Sequence, residues 1–260
     1  MEKVLLHIEK GIATITINNP PVNILDADVV NELLQATSNI YKHDEVKVVI
    51  LIGQGTRAFM AGGDIKSFPN LIGKGEDVAY QTSKLLQEPL NAIMNLPHPT
   101  ICVLNGLALG GGCELALSCD FRIIEEHVEI GLPEIKLGLF PGAGGTQRLP
   151  RLIGVSKAKE LIFTGDSIPA VKALEIGLVN EVVKSGDGLL AAYVLAHKIK
   201  RHSIKALQYA KLAIDEGLNN SLEEGLEIEA RYFGKVFQTE DVKEGVLAFI
   251  EKRKPLFKDK

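Results

Sequence analysis

The sequence contains no tryptophan, and only 5% of its 260 residues are aromatic. Such a chain offers few ring surfaces on which the bases of a single-stranded nucleic acid could stack. Its 29 Lys and Arg nearly balance its 33 Asp and Glu, which leaves a net charge of −4. This balance gives no general attraction to nucleic acid or anionic lipid. We therefore expect neither as a partner, and any binding of an anionic ligand must be local.

Cysteine is also scarce. The three cysteines, Cys102, Cys113 and Cys119, have no C-x-x-C spacing, so the sequence indicates neither a zinc site nor a disulfide framework. The six histidines show no metal-ligand spacing, and no Gly-x-Ser-x-Gly nucleophile motif is present. We expect reduced thiols, a cytoplasmic location and no metal.

Long uninterrupted hydrophobic runs are missing as well. The longest apolar stretch, 101–119, includes Asn105, four glycines and Glu114. Inserting such residues into a bilayer is costly, so a membrane span is not expected there. The first ten residues mix charged and apolar side chains too early for a signal peptide.

In the apolar stretch 107–117, a run of three glycines ends two residues before Glu114. A buried carboxyl group is costly unless it is paired, hydrogen-bonded or neutralised, so its position calls for a reason. Glycines let backbone N–H groups approach a ligand closely, and a helix beginning here directs its N-terminal N–H groups and dipole to the same place. Such a site can hold a negative oxygen beside a proton-transferring carboxyl group, as chemistry next to a carbonyl requires.

A second acid, Glu134, stands among apolar residues between Pro133 and the glycine-rich segment 142–145. Two carboxyl groups in dry surroundings can hold different pKa values and divide acid and base roles. A third feature, Gly63, follows the strand-like run 48–52 and offers another backbone N–H at a strand end. Open α/β architectures usually place ligands at such ends.

Each feature also has a simpler structural explanation. Glu114 can be a solvated acid at a helix start, and Glu134 a surface acid or an ion-pair partner of Lys136. Asp64 is more readily a cap than a catalytic base. The segment 142–147 lacks the ending of a phosphate-binding loop, and we interpret it as shaping the turn after Glu134.

The first half of the chain alternates strand and helix patterns. Ala13, Ile15 and Ile17 alternate with polar residues, as in a half-buried strand. Asp26 is predicted to cap a following helix, and 46–52 is an apolar run suited to a sheet covered on both faces. This alternation predicts an α/β fold.

Two other segments do not show this alternation of strand and helix patterns. Residues 67–80 carry glycine, proline and charge without periodicity and are predicted to form a mobile loop beside Gly63. From about Leu189 onward the chain is predicted to form successive helices. Ser221 and Glu224 have capping-box spacing, and Thr239 marks another helix start.

Taken in order, several segments resemble the crotonase superfamily, which contains the enoyl-CoA hydratases and isomerases. They are 19–23 (NPPVN), 61–64 (AGGD), 105–114 (NGLALGGGCE), 133–134 (PE) with 141–149 (PGAGGTQRL), and 248–254 (AFIEKRK). The resemblance implies a β-β-α spiral core over 1–188. It also implies a helical region over 189–260 that builds homotrimers, commonly paired into hexamers, and completes the CoA site.

The resemblance also implies roles for particular residues. The backbone N–H groups of Gly63 and Gly111 would form an oxyanion hole, and Glu114 and Glu134 would be the two catalytic acids. Many members have alanine where this chain has Gly63, but a backbone donor survives that difference. The implied contacts to coenzyme A, which is part of the substrate and not a separate cofactor, are Ala61, Ile65, Lys66, Phe249 and Lys252.

The resemblance implies an enoyl-CoA hydratase, a hydro-lyase of acyl-CoA degradation, because family members with both acids are typically hydratases. Three alternatives stay open: an enoyl-CoA isomerase, a hydratase of the 3-methylglutaconyl-CoA type, and a non-catalytic acyl-CoA-binding homologue. A thioester hydrolase is weaker, because no nucleophile and base are identifiable. The sequence does not define chain-length preference, pathway or the division of roles between the acids.

Overall fold

The computed structural model describes residues 2–260 and builds them into two sheets and a series of helices. The described residues form ten strands: β1 (Val4–Glu9), β2 (Ile12–Ile17), β3 (Val48–Gly53), β4 (Ala58–Ala61), β5 (Thr100–Leu104), β6 (Leu107–Leu109), β7 (Phe121–Glu125), β8 (Glu129–Gly131), β9 (Ser167–Pro169) and β10 (Glu181–Val183).

The same residues form ten α-helices and two short 3-10 helices. The α-helices are α1 (Ala27–Ile40), α2 (Glu76–Met94), α3 (Gly111–Ala116), α4 (Gly145–Ile153), α5 (Val155–Thr164), α6 (Ala170–Glu175), α7 (Gly188–Ile199), α8 (Ile204–Gly217), α9 (Leu222–Val236) and α10 (Glu240–Ile250). The 3-10 helices are Ile65–Asn70 and Pro133–Leu137.

The larger sheet has the strand order β1-β2-β3-β5-β7-β10. β1 pairs antiparallel with β2, and all the other pairs are parallel. Strand β5 is buried along its whole length, as is most of β3. This is the pattern of parallel strands covered on both faces, and it confirms the predicted α/β class.

The smaller sheet, with the order β4-β6-β8-β9, places the ends of three neighbouring strands together. β4, β6 and β8 run parallel, whereas β9 is antiparallel to β8. Because parallel strands end at the same edge of a sheet, the segments that follow β4, β6 and β8 meet there. These segments contain Gly63, Gly111 and Glu134.

Most predicted local signals are confirmed, and one is wrong. Asp26 caps α1 by accepting a hydrogen bond from the N–H of Val29. Ser221 and Glu224 form a full capping box on α9. The loop predicted over 67–80 is wrong in extent: only residues 71–75 are non-helical, between the 3-10 helix Ile65–Asn70 and α2, which begins at Glu76. Acids in the first turn favour that early start, although the segment lacks a clear apolar period.

The chain divides into two compact units. The first extends up to Leu96 and again from Thr100 to Leu195, and the second comprises Pro97–Pro99 and Ala196–Lys260. The second unit contains α8, α9 and α10, which confirms the predicted helical C-terminal region. Its role in oligomerisation stays a prediction. None of the helices described between residues 2 and 260 is long and apolar enough to cross a bilayer.

Candidate active site

Two backbone N–H groups lie close together at the edge where β4 and β6 end. Gly62 and Asp64 bond to Leu25 through the Gly62 carbonyl and the Asp64 N–H, so the intervening Gly63 N–H faces the other side of the chain. It donates to no acceptor within residues 2–260. A side-chain carbon built on Gly111 would lie 3.6 Å from the Gly63 nitrogen. Gly111 opens α3, so its N–H also has no intrahelical acceptor.

Glu114 lies in the first turn of α3 and is only 3% exposed. Its Oε1 accepts hydrogen bonds from the N–H groups of Ala143 and Gly145, both at 2.8 Å. Oε2 receives no hydrogen bond from residues 2–260 and is not fully enclosed. Glu114 is therefore held by one oxygen and has the other available for chemistry, which rules out the solvated acid considered from the sequence.

The surroundings of Glu114 act on its pKa in opposite directions. Burial raises the pKa of Glu114, whereas the two N–H bonds and the charge of Arg148 oppose that rise. The opposing groups all stabilise the ionised carboxylate. Glu114 is thus a buried candidate base, and the N–H groups of Ala143 and Gly145 and the charge of Arg148 stabilise its ionised form.

Glu134 stands in the 3-10 helix Pro133–Leu137 with much less support. Its Oε2 is buried and has no hydrogen-bond partner in the described part of the chain. Burial raises the pKa of Glu134 to about 7, and the negative charge of Glu114 contributes to that rise. Lys136 pairs with Asp166, so the ion pair of Glu134 with Lys136 considered from the sequence is wrong. Glu134 is therefore the better acid candidate.

A glycine allows the second acid to approach the edge of the sheet. The side-chain carbon of any other residue at position 110 would stand 2.9 Å from Glu134 Oε1. Gly110 also has a φ of +54°, which L residues rarely adopt. Its N–H bonds to the Gly131 carbonyl at the end of β8. Gly110 thus brings the start of α3 and the Glu134 segment together.

The loop that supplies donors to Glu114 is anchored by α2. The Gly142 carbonyl accepts hydrogen bonds from Ser83 Oγ at 2.7 Å and from Gln87 Nε2 at 3.0 Å. Segment 142–147, predicted only to shape the turn after Glu134, also supplies the N–H groups of Ala143 and Gly145 that bind Glu114. The sequence does not predict this role. The sequence signal that could have pointed to it is the glycine-rich composition of the segment, which leaves its backbone N–H groups accessible.

The residues expected to contact coenzyme A fall into two groups. Ala61 ends β4, and Ile65 and Lys66 begin the next 3-10 helix, where both are exposed. These three flank Gly63 in the chain. Phe249, 85% exposed, lies in α10, and Lys252 follows that helix. Their contribution to binding stays a prediction.

No group of three or more His, Cys, Asp or Glu side chains within residues 2–260 is placed to hold a metal ion. The groups brought together at the site are two backbone donors and two carboxyl groups in unequal surroundings. Such a set can stabilise a negative oxygen while one group removes a proton and another supplies one.

Comparison with known proteins gives a consistent result. A family model described as enoyl-CoA hydratase/isomerase matches residues 7–260. A crotonyl-CoA hydratase of Syntrophomonas wolfei is 40% identical over 257 residues, covering 98% of both chains. A short-chain-enoyl-CoA hydratase of Clostridium acetobutylicum is 41% identical over 98% of this chain and 97% of its own. The crystal structure of an enoyl-CoA hydratase from Bacillus anthracis has a TM-score of 0.93 at 39% identity, covering 99% of this chain and 100% of that chain.

Proposed function

The chain belongs to the enoyl-CoA hydratase/isomerase family, and we propose on that basis and on its site geometry that it hydrates 2-trans-enoyl-CoA to 3-hydroxyacyl-CoA. It is an enzyme of the hydro-lyase type. The observation that carries the proposal is the meeting of two unpaired N–H groups, from Gly63 and Gly111, with two acids in unequal surroundings.

The N–H groups provide electrostatic stabilisation. When water attacks C3 of the conjugated thioester, the electron pair of the double bond moves toward the carbonyl and forms an enolate oxygen. The N–H groups of Gly63 and Gly111 donate to that oxygen. One such donor is worth about 3 to 4 kcal/mol in a transition state.

The carboxyl groups move the protons. Glu114 accepts a proton from the attacking water as the new C3–O bond forms, and Glu134 donates a proton to C2. The site begins with Glu114 ionised and Glu134 protonated and ends with the opposite arrangement, so one proton must return from Glu114 to Glu134 through solvent. The unequal support of the two carboxyl groups favours the starting arrangement.

Two groups of residues are proposed to bind the CoA moiety. We assign its adenine and phosphate contacts to Ala61, Ile65 and Lys66, and a further contact, which can come from a neighbouring subunit, to Phe249 and Lys252. Exposure of Ile65, Phe249 and both lysines supports this assignment. An unchanged KM for enoyl-CoA in the Lys66→Ala and Lys252→Ala variants would contradict it.

We propose that the protein assembles into homotrimers, either as single trimers or paired into hexamers. The C-terminal helices expose several large apolar side chains, and monomeric proteins rarely expose large contiguous apolar patches. These side chains include Leu222, Phe233, Phe249 and Ile250, each more than 60% exposed. A monomeric mass in light scattering at micromolar concentration would contradict the proposal.

The direct test of the function is hydration of crotonyl-CoA, followed as loss of the conjugated enoyl-thioester absorbance, with a 3-enoyl-CoA offered in parallel. We expect rapid hydration of the 2-enoyl substrate and much slower conversion of the 3-enoyl one. The reverse order would indicate an isomerase. Tight binding without conversion of either substrate would indicate a non-catalytic homologue. A longer series of acyl-CoA substrates then defines chain-length preference.

The pH dependence follows from the proton that the two acids share. The active form holds one proton on the pair, and burial raises the pKa of Glu134 to about 7. Above that pH Glu134 loses its proton, so kcat/KM for hydration falls by about tenfold for each pH unit. Dehydration must show the same profile, because the overall reaction neither takes up nor releases a proton. A kcat/KM that stays flat to pH 9 in either direction contradicts this account.

A further inference from the structure

Glu114 depends for its position on a loop outside its own helix. Both N–H groups that hold its Oε1 come from Ala143 and Gly145, which are 29 and 31 residues away in the chain. A small displacement of this loop therefore moves or releases the carboxylate. Whatever fixes the loop also fixes the candidate base.

Arg148 fixes the loop through a backbone carbonyl. It lies in α4, and its Nη1 donates to the Ala143 carbonyl at 2.9 Å. The donors to Glu114 are the N–H groups of Ala143 and of Gly145, two residues further along the loop. A side-chain carbon on Gly144 would overlap Nη1, so the glycine allows the guanidinium to pack against the loop backbone.

A second anchor holds the guanidinium in place. Its Nη2 donates to Asn91 Oδ1 on α2, the same helix whose Ser83 and Gln87 hold the Gly142 carbonyl. The planar fork of arginine can span two acceptors in this way, whereas the single ammonium of lysine cannot reproduce the geometry. Arg148 thus connects α2 to the loop.

The positive charge of Arg148 is not neutralised by a carboxylate. Within residues 2–260 no carboxylate forms a salt bridge with it, and both of its hydrogen-bond acceptors are neutral. Arg148 is half-buried, and its charge acts on Glu114. The other titratable groups near Glu114 are Glu134 and the buried Cys113 thiol, and neither brings positive charge. Arg148 is therefore the cation that favours an ionised Glu114.

We propose that Arg148 is a positioning residue for Glu114. Its guanidinium fixes the Ala143 carbonyl in the loop that holds the carboxylate, and its charge favours the ionised form of that carboxylate. The proposal rests on the hydratase function. The activity of the wild type tests that function, and the comparison of the variants with the wild type tests the role of Arg148. An inactive wild type would contradict the hydratase, whereas an active wild type leaves the Arg148 proposal to be decided by the variants.

The experiment measures kcat, KM and the pH profile of kcat/KM for crotonyl-CoA in Arg148→Gln, Arg148→Lys and the matched control Arg151→Gln. We expect Arg148→Gln to lower kcat by at least about tenfold and to move the acid limb up by about one pH unit, with KM nearly unchanged. Arg148→Lys retains the charge, so its acid limb stays in place while kcat falls. Arg151 is exposed and, within the part of the chain that the structure describes, its side chain bonds only to Gln147 of its own helix, so we expect its variant to behave as wild type.

Two results would overturn the proposal. One is an acid limb in Arg148→Gln that coincides with the wild-type limb. The other is an equal shift in Arg148→Lys, since the lysine keeps the charge. If Arg148→Gln does not fold, Asn91→Ala removes the α2 anchor alone and keeps the charge. That variant is then expected to lower kcat without moving the acid limb, and wild-type kcat would count against the proposal.

Discussion

Replacing Glu114 by Gln is expected to lower kcat for hydration by about a hundred- to ten-thousand-fold while leaving the fold intact. A glutamine oxygen can still accept the N–H groups of Ala143 and Gly145, so the loop contacts survive. The amide cannot take a proton from water, however, and the free Oε2 is lost. Stopped-flow or steady-state hydration of crotonyl-CoA, with circular dichroism to confirm folding, measures the effect.

Glu134→Gln is expected to cause a loss of the same order, because an amide cannot donate a proton to C2. The double variant should lose little beyond the worse single one, since both acids serve one proton-transfer sequence. Glu126→Gln removes an exposed acid and provides the control for charge alone. Near-normal turnover in both single variants would exclude the two-acid mechanism.

The second large effect is expected at the oxyanion hole. A side-chain carbon on Gly111 would have only ordinary van der Waals neighbours, at 3.5 Å from Leu25 and 3.6 Å from the Gly63 nitrogen. Gly111→Val adds two further methyl groups, and these would occupy the space next to the Gly63 N–H. We expect a loss in kcat of at least about a hundred-fold, the effect of removing one oxyanion donor.

Gly111→Ala is the matched comparison, because a single methyl group fits. We expect the alanine variant to fold and to lose much less activity than the valine variant. Size-exclusion chromatography and thermal melting establish whether Gly111→Val retains its assembly and stability. If a folded Gly111→Val turns over within about tenfold of wild type, the space next to the Gly63 N–H does not hold the thioester oxygen.

Local chemistry made much of the site accessible to sequence reasoning. Glu114 and Glu134 stood out because acids among apolar residues need a reason, and the glycines before Glu114 predicted the start of α3. Asp26 and Ser221 were identifiable as caps because capping depends on side chains a few residues apart. Strands β2 and β3 of the larger sheet were predictable from an alternating pattern and from an apolar run.

The remaining features depend on contacts that local patterns do not contain. The smaller sheet consists of strands of three or four residues, too short to show a period of two. Its register nevertheless brings Gly63, Gly111 and Glu134 to one edge. Likewise, the hydrogen bonds from Ala143 to Glu114 and from Arg148 to Ala143 form only through tertiary packing. In the sequence, Arg148 is one arginine among several.

The most direct measurement of the central claim is a crystal structure of the protein with a 3-hydroxyacyl-CoA bound. We expect the thioester oxygen at about 2.7–3.1 Å from the nitrogens of both Gly63 and Gly111. We also expect Glu114 to approach the C3 hydroxyl group and Glu134 to approach C2. A thioester oxygen bonded to neither nitrogen, or either carboxyl group turned away from the acyl carbons, would contradict it.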